Sequence, residues 1–184
     1  MERIGDGMEI IAKCKYDYET VKAMAHIGLY KKRNPKKQFW SHTLYCIGLI
    51  IMVIVLMIIW GSDDTMTVLL MVSITLFLLN CFMYTCFPRM QYKALSKAGE
   101  FENDFILGNK GIRVVSRSKG YEGEAEVEYS IISKVMETSK YIFIYQKNNQ
   151  VYIIDKTKII QGEVQDIKNR FLQFAEIKYV ICNY

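Results

Sequence analysis

Four glutamates at every second position, Glu122, Glu124, Glu126 and Glu128, are the most regular chemical pattern in the chain. In an extended strand that spacing puts all four carboxylates on one face. Such a face either docks a partner or a cation, or stands in water opposite Tyr121, Ala125, Val127 and Tyr129. Acid–base catalysis by a carboxylate pair needs one member in an apolar pocket, and nothing around these residues supplies one. The two histidines, His26 and His42, have no Cys, Asp or Glu at metal-ligand spacing, so no metal site is expected. Five cysteines, an odd number without a CxxC pair, do not make a disulfide framework. No glycine-rich phosphate loop, nucleophile elbow or kinase motif is present. The aromatic run Tyr141, Phe143, Tyr145 and Tyr152 alternates as a packed sheet face does. Catalytic and cofactor-binding residues are therefore not expected, and the chain reads as a non-enzymatic protein.

Two apolar runs dominate what remains. Aside from His42, no charged residue occurs from Gln38 to Ser62, and none from Thr65 to Pro88; only Gly61, Ser62, Asp63 and Asp64 break the apolar sequence between them. Each run is long enough as a helix to cross about 30 Å of hydrocarbon. The expected element is a transmembrane helical hairpin over residues 39–88, edged by Trp40, Tyr45, Trp60 and Tyr84 at headgroup depth. With no charge inside either span, an ion pathway or proton relay is disfavoured. Asn80 is the most polar residue at depth, and is expected to pair helices within the hairpin or with a second copy.

The net charge of +5 is unevenly distributed. Residues 1–38 hold nine Lys/Arg against five Asp/Glu, the hairpin turn holds Asp63 and Asp64, and residues 89–184 hold fifteen against twelve. Lys31, Lys32, Arg33, Lys36 and Lys37 precede the first run, and Arg89 and Lys93 follow the second. Basic residues beside spans stay cytoplasmic. The expectation is a two-span cell-membrane protein with both termini in the cytoplasm, these seven side chains touching lipid headgroups. The membrane accounts for the basic clustering, so nucleic acid is not an expected partner; the bilayer is, together with a protein partner or self-association through the hairpin.

The flanks are patterned differently. Residues 1–38 predict a strand over 8–16, then a helix capped by Asp17 that stops before Pro35, and a basic linker. Residues 99–184 predict a β-rich cytosolic domain. Short alternating segments are separated by turns at Asn109–Gly111, Lys119-Gly120 and Asn148-Asn149. An amphipathic helix follows on Val164, Ile167, Phe171 and Phe174, then a last strand. The fold class expected is α+β: a helical hairpin with an antiparallel β-rich domain capped by a C-terminal helix, in the pleckstrin-homology manner.

Asp104 in FENDFILGNKGI and the run VEYSIISKVMETSKYIFIYQKNNQVYIIDK carry a resemblance. Tyr129, Ile132, Lys134, Val135, Glu137, Tyr141, Tyr145, Ile153 and Ile154 fall where the YcxB-like family of bacterial membrane proteins places its pattern. Asp155 departs from it, standing where such sequences often have proline. The resemblance implies a membrane protein with a cytosolic, pleckstrin-homology-like domain, and no particular activity. The functional expectation is an adaptor presenting a binding domain at the inner membrane surface. An immunity-type protein guarding against a secreted toxin and an accessory subunit of a transporter are the alternatives.

Overall fold

A computed structural model describes residues 9–30, 34–97, 99, 101–148 and 150–182. The chain divides into two compact units, one of residues 1–20 with 94–184 and the other of residues 21–93.

Among the described residues, the first unit is built on nine strands. Strand β1, Ile10–Lys15, lies far in sequence from its neighbours, β2 (Glu102–Leu107), β3 (Gly111–Ser118), β4 (Tyr121–Glu128), β5 (Ile132–Glu137), β6 (Tyr141–Gln146), β7 (Val151–Asp155), β8 (Ile159–Gln161) and β9 (Lys178–Ile181). One sheet has the order β4-β3-β2-β1-β8 and the other β7-β6-β5-β9. Two antiparallel meanders, β2-β3-β4 and β5-β6-β7, follow the turn signals; Gly120, at φ +81°, takes the left-handed conformation its two-residue hairpin loop demands. The β-rich domain is thus antiparallel almost throughout, and β9 departs from this by pairing parallel with β5.

Alternation sets what each face does. Ile10, Ala12 and Cys14 of β1 share a buried face with Phe105, Leu107, Ile112, Val114 and Val127. Strand β6 is the exception, with Tyr141, Ile142, Phe143 and Ile144 all buried, as an interior strand covered on both faces should be.

Helix α1, Tyr18–Tyr30, straddles the division between units. Asp17 starts it, its carboxylate accepting from the Thr20 backbone N–H at 2.8 Å. Helix α2, Pro35–Trp60, and helix α3, Asp64–Lys97, are joined by three residues. Asn34 caps α2 by accepting from the N–H groups of Lys36 and Lys37, and Pro35 takes the first helical position, where no N–H is needed. Pro35 thus opens α2, while α1 ends at Tyr30. Asp63 caps α3 through the Met66 N–H at 2.7 Å. The side-chain amide of Asn80 donates to Thr43 Oγ1 at 3.1 Å. Both residues stand almost equally far from the turn, so α2 and α3 run antiparallel as a hairpin.

Helix α4, Val164–Leu172, seats Ile167 and Phe171 in the core of the first unit. The Tyr129 ring meets Phe171 edge-on at 5.7 Å and stacks on Phe174 at 4.4 Å, so Phe174 serves the core from beyond the helix end.

Because β1 stands between β2 and β8, the β-rich domain is not contiguous in sequence. A fragment of residues 99–184 should show no cooperative denaturant transition, since its sheet has lost an interior strand. Joining residues 9–16 to residue 101 through a short Gly/Ser linker should restore it. Cooperative unfolding of the fragment alone would contradict this sheet order.

Candidate functional site

The glutamate stripe lies on the outer face of the five-stranded sheet, and register decides its neighbours. Reading across that face, β1 shows Lys13 and Lys15, β2 shows Glu102 and Asp104, β3 shows Arg113 and Arg117, and β4 shows Glu122, Glu124, Glu126 and Glu128. The columns alternate in sign. Arg117 joins Asp104 at 2.5 Å and Glu122 at 3.0 Å, Arg113 joins Glu124 at 2.6 Å, and Lys13 stands 3.7 Å from Asp104. Cross-strand pairs of opposite charge each contribute a few tenths of a kcal/mol, up to about 1. Much of the stripe is therefore matched by its own sheet. Two arginines face four glutamates, however, and the surplus lies at the outer end, where Glu126 and Glu128 border an open groove of about 610 Å³ with Lys110 and Arg113.

A second cluster was invisible in the linear spacing. Glu137 at the end of β5 accepts from Lys156 Nζ at 2.8 Å and from Tyr179 Oη at 2.8 Å, both partners lying distant in sequence. Lys156 also donates to the Thr138 carbonyl at 3.0 Å. Burial works against the Glu137 charge, but the bonds from Lys156 and Tyr179, with the ammonium's field, hold its carboxyl below the usual carboxylate range. Burial foremost, then the Glu137 carboxylate, pushes the Tyr179 phenol upward. Every polar group of this trio has a partner, so it fastens β9 and the turn after β7 to β5.

That turn explains the departure at Asp155. Its carboxylate accepts from the Thr157 N–H at 2.9 Å and the Thr157 hydroxyl at 2.7 Å, capping the 3-10 turn Lys156–Lys158 that a proline would otherwise preset. Nearby, burial above all, with Asp155 and Asp17 adding, pushes the Cys14 thiol up to about 12, so it stays protonated and unreactive at neutral pH. The aromatic residues Tyr141 and Phe143 are buried and Tyr152 meets Phe105 edge-on at 5.9 Å, which makes them packing groups.

In the helical unit the unforeseen group is His26. Pro88, inside α3, has no N–H to give the Tyr84 carbonyl four residues back. His26 Nε2 lies 3.0 Å from that carbonyl as its donor, and the His26 ring stacks on Tyr84 at 4.5 Å. Phe39 stacks on Tyr84 at 4.1 Å. Three helices are tied at one point, which lets α3 continue through the proline to Lys97 instead of stopping there. Ser73, Thr75 and Thr85 return their hydroxyls to the carbonyls of Leu69, Met71 and Cys81, and so expose no unmade bond.

Of the expected headgroup contacts, Lys36 and Lys37 stand in the first turn of α2, and Arg89 and Lys93 in the last turns of α3, at the same end of the antiparallel pair. Lys31, Lys32 and Arg33, like Asn149 of the last expected turn, lie outside the described residues. No group of three or more His, Cys, Asp or Glu among the described residues is arranged to hold a metal ion.

The model of the YcxB-like protein family matches residues 107–169, about a third of the chain, running from the end of β2 into α4. The resemblance seen in Tyr129, Glu137, Tyr141 and Ile153 therefore stands for this stretch, while Asp104 falls before it. No curated protein and no solved structure matches the chain.

The Glu137 trio has a signed pH consequence. A carboxyl depressed in the folded state adds stability above its unfolded pKa and loses it as pH falls through the folded value. Unfolding of the first unit, followed by hydrogen exchange in micelles, should become easier on acidification below the ordinary glutamate range. Glu137→Gln should cost about 1–3 kcal/mol at pH 7 and flatten that dependence. An unchanged pH profile would mean the trio is not closed in solution.

Proposed function

We propose that this YcxB-like chain is a non-enzymatic integral membrane protein that presents its β-rich unit at the inner membrane surface, where it binds a protein partner. The carrying observation is the exposure of the two long helices. Helices α2 and α3 are long and apolar enough to span a bilayer, with peak mean hydropathies of 2.8 and 2.2, yet only 17% and 6% of those stretches is buried. Core helices of a soluble protein bury such surface; these leave Leu44, Ile51, Ile58, Ile59, Leu69 and Leu78 open. In water that exposure costs roughly 25 cal/mol per Å² of apolar surface, and in hydrocarbon it costs nothing.

One observation supports the orientation and another the placement of both flanks on one side. Basic side chains collect at the open end of the hairpin and Asp63 and Asp64 at its turn, the distribution expected with the open end in the cytoplasm. Independently, β1 and β2 are neighbours in one sheet, so the chain must leave and re-enter the β-rich unit on one side of any membrane it crosses. Two meanders closed by a helix fit a pleckstrin-homology-like frame, a scaffold whose outer faces and edges serve binding. The paired state of Glu137 and the protonated Cys14 thiol favour binding over bond-making chemistry.

A membrane-impermeant thiol reagent tests the arrangement. In a chain with its own cysteines replaced, Ser62→Cys should react in intact cells, whereas Ser118→Cys should react only after the membrane is opened. Labelling in the reverse order would overturn the orientation, and labelling of both in intact cells would overturn the anchor.

A further inference from the structure

Strand β4 ends the five-stranded sheet, and among the described residues nothing pairs with its outer edge. The register fixes which main-chain groups are left open there. The Gly108 N–H bonds the Gly111 carbonyl at 2.9 Å, so the even residues of β2 exchange hydrogen bonds with the odd residues of β3. The odd residues of β3 then face β4 across non-bonded pairs. It follows that Glu122, Glu124 and Glu126 direct both N–H and C=O outward. The residues whose carboxylates line the outer face are the same ones that offer the open ladder.

Resting on the adaptor reading above, we propose that this edge takes an extended, basic segment of a protein partner as a further strand, with Lys or Arg at alternate positions. Open main-chain groups supply the pairing, as they do wherever a peptide extends a sheet. The sign of the side chains supplies the choice of partner. Across the face the columns run positive, negative, positive, negative, and the last holds four carboxylates against two arginines. A basic strand continues the series and neutralises the surplus. A second copy adding through its own β4 would set eight carboxylates on one face, and like charges directly opposite are destabilising. An anionic lipid surface is repelled for the same reason. The edge is also open along its length: Tyr121, Glu122, Glu124, Ala125, Glu126 and Glu128 are all exposed.

Edge charges often serve only to prevent association, and the experiment separates that role from recognition. The full chain in detergent micelles is titrated with a fluorescein-labelled ten-residue peptide alternating lysine with threonine and valine. Hydrogen exchange at the Glu122, Glu124 and Glu126 amides is followed alongside. The lysine peptide should bind, slow exchange at those three amides, and weaken as salt rises. Peptides N-methylated at alternate residues, made in both phases, should include one that binds at least about tenfold more weakly, because it has lost ladder donors. Glu124→Pro removes an outward N–H while sparing the bonds to β3, and should abolish binding with exchange elsewhere in the sheet unchanged. Glu124→Gln, which keeps that N–H, should weaken binding less. Absence of binding by the lysine peptide would overturn the proposal and leave edge protection as the role of the stripe. Equal binding by both N-methylated peptides would reduce the site to charge attraction without strand addition. Slowed exchange at the three amides without peptide, appearing with dimerisation, would make a second copy the occupant. None of these results alters the thiol labelling at Ser62 and Ser118, so failure of the docking site and failure of the membrane-anchored reading remain distinguishable.

Discussion

The ladder between β1 and β2 is the constraint on which the rest depends. Six paired positions, from Ile10 with Leu107 to Lys15 with Glu102, are followed by a bond from the Tyr16 N–H to the Phe101 carbonyl at 2.9 Å. The 84 residues between Tyr16 and Phe101 are thereby held as one closed excursion from a sheet. Everything in that excursion must come back to where it started. Any membrane crossings within it must be even in number, and a tight hairpin with matched helices is the simplest way to make them. Closing so long a loop costs entropy that grows only slowly with length, and the loop's own structure offsets part of it.

The same closure orders the charged face. With β1 in place, the sheet becomes four columns of alternating sign, and Asp104 sits between Lys13 and Arg117. Without β1 the acidic column of β2 would lose one of its two basic neighbours. The charged face and the closed helical excursion are therefore consequences of one pairing, although their chemistries are unrelated. The inner fastening at Glu137, Lys156 and Tyr179 acts on the other sheet, where β9 would otherwise be a short parallel strand of low stability.

Much of this was legible from residue order, because it depends on neighbours in sequence. Uncharged runs of helical length announced α2 and α3. Turn dipeptides and alternation located the strands of the two meanders, and Asp17 announced the start of α1. What the sequence did not disclose depends on pairs far apart. Nothing local in IKYVICNY tells whether it pairs parallel or antiparallel, or that Tyr179 will reach Glu137. Arg113 and Arg117 look like ordinary strand residues until register sets them against the glutamates. The charge-free run ended at Pro88, whereas the helix continues to Lys97; the partner that offsets the proline's missing N–H, His26, lies 62 residues earlier. A histidine with no ligand at metal spacing gave no signal of that role, although a proline inside an apolar run invites a search for a donor.

Closure of β1 on β2 can be trapped chemically. Lys15 and Glu102 form a non-bonded antiparallel pair on the outer face, the arrangement whose close Cα atoms best suit a disulfide. In a chain otherwise free of cysteine, Lys15→Cys with Glu102→Cys is oxidised in membranes and the hairpin turn is then cut at a protease site inserted between Ser62 and Asp63. The two pieces should migrate together until reductant is added. Pieces that separate without reductant would contradict it.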